Sequence, residues 1–183
     1  MRKILLAAFC FAFVLVSNAQ KTYIWCGTLI DGVSSEPKKN MTILVEKNKI
    51  VGVENGFATP GTADKIIDLK TKTITLGWID MHVHFESETK KGAAADRFIL
   101  NPADVAFESI KYANATLMAG FTTVRDLGGS GVNISLRNAI NKGFVTGPRI
   151  FTAGKSIATT GGHADPTNGY RKDLMGIPGQ MKE

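Results

Sequence analysis

The stretch Leu76-Gly77-Trp78-Ile79-Asp80-Met81-His82-Val83-His84-Phe85 decides how the rest of this chain is read. Thr73 to His84 reads as one strand-like run, and side chains on a strand alternate faces, so Asp80, His82 and His84 project from the same side. Two imidazoles at positions i and i+2 near the C-terminal end of a strand can reach one divalent cation. Asp80, one step deeper, can orient such a ligand from behind. A bare His-x-His also arises by chance or on an exposed strand face, so its surroundings must decide between the readings.

Upstream, the residues from Thr22 to Asp68 form short β-rich runs, Tyr23 to Leu29, Met41 to Lys47, Lys49 to Val53 and Lys65 to Leu69, separated by turn residues. They predict a small antiparallel sheet, with Lys47-Asn48 as a tight turn because Asn tolerates positive φ. Downstream of Lys70, strands and helices alternate, as a parallel α/β architecture requires. The helices are expected over Asn101 to Met118, with Asn101 as cap and Pro102 in the first turn, and over Asn133 to Asn141. The strands are expected over Thr122 to Leu127 and Arg149 to Ala153.

The Leu76–Phe85 stretch resembles the amidohydrolase superfamily signature, usually written Pro-Gly-x-x-Asp-x-His-x-His, at the end of the first barrel strand; here Leu76 stands where Pro is usual. Met118-Ala119-Gly120-Phe121-Thr122-Thr123-Val124-Arg125-Asp126 is similar to that family's second strand. Gly147-Pro148-Arg149-Ile150, leading to Thr159-Thr160-Gly161-Gly162-His163, is similar to its third strand and loop, and Gly27-Thr28-Leu29-Ile30-Asp31-Gly32 fits its β-rich start. The four blocks occur in family order, and the Thr-Gly-Gly-His loop resembles the branch of imidazolonepropionase-like enzymes and Xaa-Pro dipeptidases.

The resemblance implies an α/β fold, the N-terminal part of a TIM (β/α)8 barrel metal-dependent hydrolase preceded by a small β-sandwich. The expected organisation is a leader over residues 1–19, a β-rich segment over 20–69 and an incomplete barrel over 70–183. A closed barrel takes eight βα units and about 250 residues, so the chain is expected to stop inside the barrel, after about three of its strands. Gly176 to Glu183 carries no closing element.

The resemblance further implies a binuclear zinc site in the full-length protein. In it the first-strand histidines, here His82 and His84, bind one ion, while a bridging carboxylated lysine, two more histidines and an aspartate come from later strands. Zinc is an expectation of the family and not a result of the spacing. His163 is expected to contact substrate at the barrel mouth, with loop structuring as the alternative. Arg125 is either a substrate contact or half of a buried ion pair with Asp126. Lys155 is expected in solvent, Met118, Phe121 and Trp78 in the core, and Cys26 as a small buried residue.

The outer part of the sequence bounds the setting. Arg2 and Lys3, the apolar run Ile4 to Val16 and the small residues Ser17-Asn18-Ala19 read as a secretory leader cleaved after Ala19, which predicts a secreted or periplasmic protein. The run is shorter than the roughly 20 residues that span a bilayer, so no membrane association is expected after cleavage. Leader removal leaves Cys26 as the single cysteine, which excludes an internal disulfide. It also lowers the formal charge from +6 to +4. The remaining cations are scattered, so no nucleic-acid partner is expected.

The function implied is hydrolysis of a carbon–nitrogen bond in a small molecule or dipeptide by metal-activated water. A catalytic zinc normally takes three protein ligands, so the 183 residues alone are expected to be inactive. The alternatives are a secreted non-catalytic binding protein and a catalytically dead homologue.

Overall fold

The computed structural model describes residues 20–165. The expected leader and the ending Gly176 to Glu183 lie outside the described residues. The chain divides into two compact units between Leu76 and Gly77.

In the first unit, β1 (Lys21–Ile30), β2 (Lys38–Glu46), β3 (Lys49–Asn55) and β4 (Lys65–Thr75) form one sheet in the order β3-β2-β1-β4. The first two pairings are antiparallel, as expected, but β1 and β4 run parallel. The all-antiparallel expectation is therefore corrected. Residues 56–64 carry the chain from one edge of the sheet to the other, so β4 enters beside β1 in the same direction instead of folding back on β3. Side chains of the sheet hold this crossover: the Trp25 indole donates to the Ala58 carbonyl (3.0 Å), and the Thr42 hydroxyl donates to Gly56 (2.7 Å) and accepts from the Ala58 amide (2.9 Å).

Two boundaries also move. Pairing with β1 keeps β4 extended through Thr75, so the strand does not end at Leu69 and no new strand begins at Thr73. In the β2–β3 turn the left-handed residue is Lys47 (φ 56°), not Asn48. Cys26, Leu29, Met41 and Ile43 form the core, with Ile24, Val45 and Ile74 packed against it. Among the described residues this unit has a single sheet layer.

In the second unit, β5 (Trp78–Val83), β6 (Phe121–Asp126) and β7 (Arg149–Thr152) form a parallel sheet in chain order. Helices α1 (Ala93–Ile99) and α2 (Pro102–Met118) connect β5 to β6, and α3 (Val132–Asn141) connects β6 to β7. Pro102 opens α2, where its missing N–H costs nothing, and the Asp104 carboxylate accepts the Asn101 amide at 2.8 Å. Helix α1 was not anticipated, because it is one short segment after Gly92 (φ 85°) with no side-chain cap to announce it.

Phe85, Ala113, Val124, Leu136 and Ile150 make the core between sheet and helices, with Val83, Ile110, Phe121 and Ile140 packed on it. Trp78 and Met118, expected in the core, are instead 57% and 78% exposed. Trp78 stands edge-on to Phe121 at 5.7 Å at the start of β5, and Met118 is the last residue of α2. Both lie at element ends, outside the layer the helices cover.

Candidate functional site

His82 and His84 sit at the C-terminal end of β5, the first inside the strand and the second just past it. Their Nε2 atoms are 3.3 Å apart and their rings meet edge to face. Two nitrogens each about 2.05 Å from one ion at a tetrahedral angle lie about 3.3 Å apart. The pair therefore already has the bite of two ligands to a single cation.

Simple strand alternation does not by itself produce that approach. Asp80 pairs with Val124 but Val83 with Asp126, so β5 gains one residue on β6 between those points. A bulge of this kind bends the strand and re-aims side chains, and bulges are frequent beside active sites. Two backbone groups inside the slip are taken by side chains. Asp80 accepts the His82 amide at 2.9 Å, and Arg125 Nε donates to the Met81 carbonyl at 3.1 Å. Asp80 thus meets the backbone of a histidine and not its ring.

The ring of His84 is held from elsewhere. Its Nδ1 lies 2.8 Å from the carbonyl oxygen of Gly128, in the loop after β6. A carbonyl only accepts, so Nδ1 carries the proton, and the Nε2 of the neutral ring presents its lone pair toward His82.

Asp126 shares β6 with Arg125 but points to its opposite face. Asp126 is fully buried and Arg125 is exposed. Its Oδ2 accepts the Phe85 amide (3.2 Å), and its Oδ1 accepts the Gly128 amide (3.0 Å) and the Asn133 side-chain amide (3.1 Å). The buried Arg125–Asp126 ion pair weighed from the sequence is corrected by this alternation, which no neighbouring-residue argument about charge could override. Asn133, also fully buried, donates in addition to the Gly154 carbonyl at 2.9 Å. Glu86 accepts the amides of Ser130 (2.6 Å) and Asn133 (2.7 Å) at the start of α3. Sequence reasoning gave Glu86 no part and read Asn133 only as the start of a helix. The available signal was a Gly-Gly loop, Gly128-Gly129, followed by a helix whose Gly131 cap offers no side-chain acceptor.

His163 is exposed in a turn closed on itself: the Gly162 amide donates to Thr159 (2.9 Å) and the Gly161 amide to the Asp165 carboxylate (2.7 Å). Lys155 is exposed, and Cys26 is buried, its thiol pushed up from the usual range by desolvation. Among the described residues no third His, Cys, Asp or Glu joins His82 and His84 in a cluster that could hold a metal. The donor set fits a cation as two of its ligands.

The second unit is a parallel βα sheet with a His-x-His at the C-terminal end of its first strand, the end at which barrel enzymes place their active sites. The chain belongs to the amidohydrolase family, whose profile matches residues 73–179. It is 27% identical over 151 residues to the ochratoxinase of Aspergillus niger, spanning 81% of this chain and 31% of that protein. The crystal structure of a Xaa-Pro dipeptidase with bound methionine in the active site is similar over 90% of this chain and 41% of its own, at 40% identity and a TM-score of 0.74. A prolidase complexed with N-methylphosphonate-L-proline aligns over 87% of this chain and 37% of its own, at 29% identity and a TM-score of 0.69. The chain thus spans 31% to 41% of the length of these relatives.

Proposed function

We propose that the protein is a metal-dependent hydrolase of carbon–nitrogen bonds in small substrates, with amides to an amino acid, Xaa-Pro dipeptides among them, as the substrate class. The observation that carries the reading is the 3.3 Å approach of the two Nε2 atoms, with His84 anchored through Nδ1. The dipeptidase and prolidase relatives support the substrate class, and the ochratoxinase, a relative named for a different substrate, supports testing beyond Xaa-Pro dipeptides.

A divalent cation, zinc in the first instance and binuclear in the full-length protein, supplies electrophilic polarisation of a carbonyl and acidifies water when bound. His82 and His84 hold it through Nε2. Asp80 and Arg125 fix the backbone bulge that brings those rings together, and His163, on its own closed turn, approaches the substrate. Arg125 also stays open to substrate on its exposed face. The mixed sheet of the first unit is one layer of a β-sandwich, and residues 1–19 act as a secretory leader. Two histidines hold a catalytic ion weakly, since such sites normally take three protein ligands; the 183 residues alone are expected to show no turnover.

The test is a panel of Xaa-Pro dipeptides, other dipeptides and N-acyl amino acids offered to the full-length protein before and after exhaustive chelation. Turnover that disappears on chelation and returns with Zn2+ is expected. Turnover indifferent to chelation, or none across the panel, would overturn the reading.

A further inference from the structure

The histidine pair needs its rings held in one orientation, and the residues behind His84 have no assigned part in the chemistry so far. They converge on a single peptide group, the one joining Gly128 and Gly129. Its carbonyl accepts from His84 Nδ1 at 2.8 Å, and its N–H donates to the Gly154 carbonyl at 2.7 Å, at the end of β7. One flat group thus ties the ring to two strands, and it cannot turn about its own axis without breaking both bonds.

The flanks of that peptide are pinned as well. The Gly128 amide is taken by the buried Asp126 carboxylate, and the Ser130 amide by Glu86. Gly154 is fixed in turn by the Asn133 side chain, which also bonds Asp126. The Glu86 carboxylate stands so close to Gly129 that a Cβ there would lie 2.3 Å from Oε1. A Cβ on Gly128, whose φ is 153°, would lie 1.9 Å from the Ser156 hydroxyl. Glycine is required at position 128, where a Cβ would also lie 2.6 Å from the Ser156 backbone nitrogen, while at Gly129 it is the Glu86 carboxylate that takes up the room.

Asp126 itself is a fully buried carboxylate that takes three N–H donors, and no lysine or arginine forms an ion pair with it among the described residues. Burying a charge without a counter-ion is costly. An apolar residue at that place would leave the Phe85, Gly128 and Asn133 N–H groups without their acceptor, so the carboxylate also supports the fold. What the carboxylate adds beyond this is direction: it fixes Gly128, and Gly128 fixes His84.

The geometry points to Asp126, Glu86 and Asn133 as positioning residues that hold the Gly128 carbonyl in place and thereby lock His84 in the Nδ1–H tautomer, with Nε2 presented to a cation. The inference rests on the hydrolase reading for the identity of that ligand, but the tautomer is a property of the ring and its partner. None of the three touches substrate or cation. They act through a backbone carbonyl in the way that outer hydrogen-bond partners of metal-bound histidines generally do.

Full-length protein labelled with 15N in its histidines tests this in two readouts, using Asp126→Asn and, as the variant on the partly exposed and more tolerant position, Glu86→Gln. In the metal-free unsubstituted protein, His84 is expected to show a protonated Nδ1 and an unprotonated Nε2. In Glu86→Gln the two tautomers are expected to mix while the melting temperature changes little. Affinity for Co2+, measured by chelator competition, is expected to fall about 10–100-fold in each variant. An Nε2–H tautomer in the unsubstituted protein, or variants that keep both the tautomer and the Co2+ affinity, would overturn the positioning role. Failure of the unsubstituted protein to bind Co2+ at all would instead defeat the hydrolase reading, and the tautomer would then decide the positioning role alone.

Discussion

The two sheets bury polar groups in different ways. In the four-stranded sheet the buried polar side chain is Thr42, whose hydroxyl closes on the backbone of the crossover, at Gly56 and Ala58. Its bonds are neutral and serve only to seat a loop. In the second unit the buried polar side chains among the described residues are Ser109, bonded within its own helix, and the pair Asp126 on β6 and Asn133 on α3, which together tie β6 to α3, to Gly154 just past β7 and to the residue after His84. A charge is buried where a ligand must be aimed, and a hydroxyl suffices where a chain must only be held.

This contrast is sharpened first by truncating each centre. Asp126→Ala leaves three buried or half-buried N–H donors without their acceptor, and at about 1–3 kcal/mol for each unsatisfied group with partial relaxation, a loss of about 3–5 kcal/mol is expected in denaturant unfolding. Thr42→Val keeps the shape and removes two neutral bonds, so about 1–2 kcal/mol is expected in the same experiment. Equal losses at the two sites would break the comparison.

The smallest effect lies in the Asp31 turn of the first unit. Lys38, at 2.8 Å, followed by the Ser34 and Val33 amides, holds the Asp31 carboxyl well below the usual carboxylate range. A folded-state value below the unfolded one adds stability that is complete above the unfolded value of about 4 and is lost as the pH falls through the folded value. Because the group is solvent-exposed, only a slight shallowing of acid unfolding is expected in Asp31→Asn relative to the unsubstituted protein. Identical stability profiles from pH 7 down to acid would show that the turn contributes nothing.

The same contrast explains what the sequence disclosed. Strand alternation, cap residues and the order of motif blocks are local, so they located β1 to β3, β6, β7, α2 and α3 and placed the histidine pair at a strand end. What they could not disclose depends on partners distant in sequence. The direction of β4 is set by the crossover that Trp25 and Thr42 anchor. The bulge at Met81-His82 appears only once β5 is laid against β6. The part played by Glu86 and Asn133 needs the loop between β6 and α3 folded over β5, 44 and 47 residues apart in the case of the Glu86 bonds. Arg125 and Asp126 are adjacent, and adjacency suggested a pair; the strand put them on opposite faces.

The most direct test of the central claim is elemental analysis of the full-length protein, purified without added chelator, beside the double variant His82→Ala/His84→Ala. A divalent metal present in stoichiometric amount and lost from one site in the variant, with hydrolysis reduced more than the about 10–100-fold that removal of an outer partner costs, is the result this account predicts. A variant that keeps the full metal content and activity would contradict it.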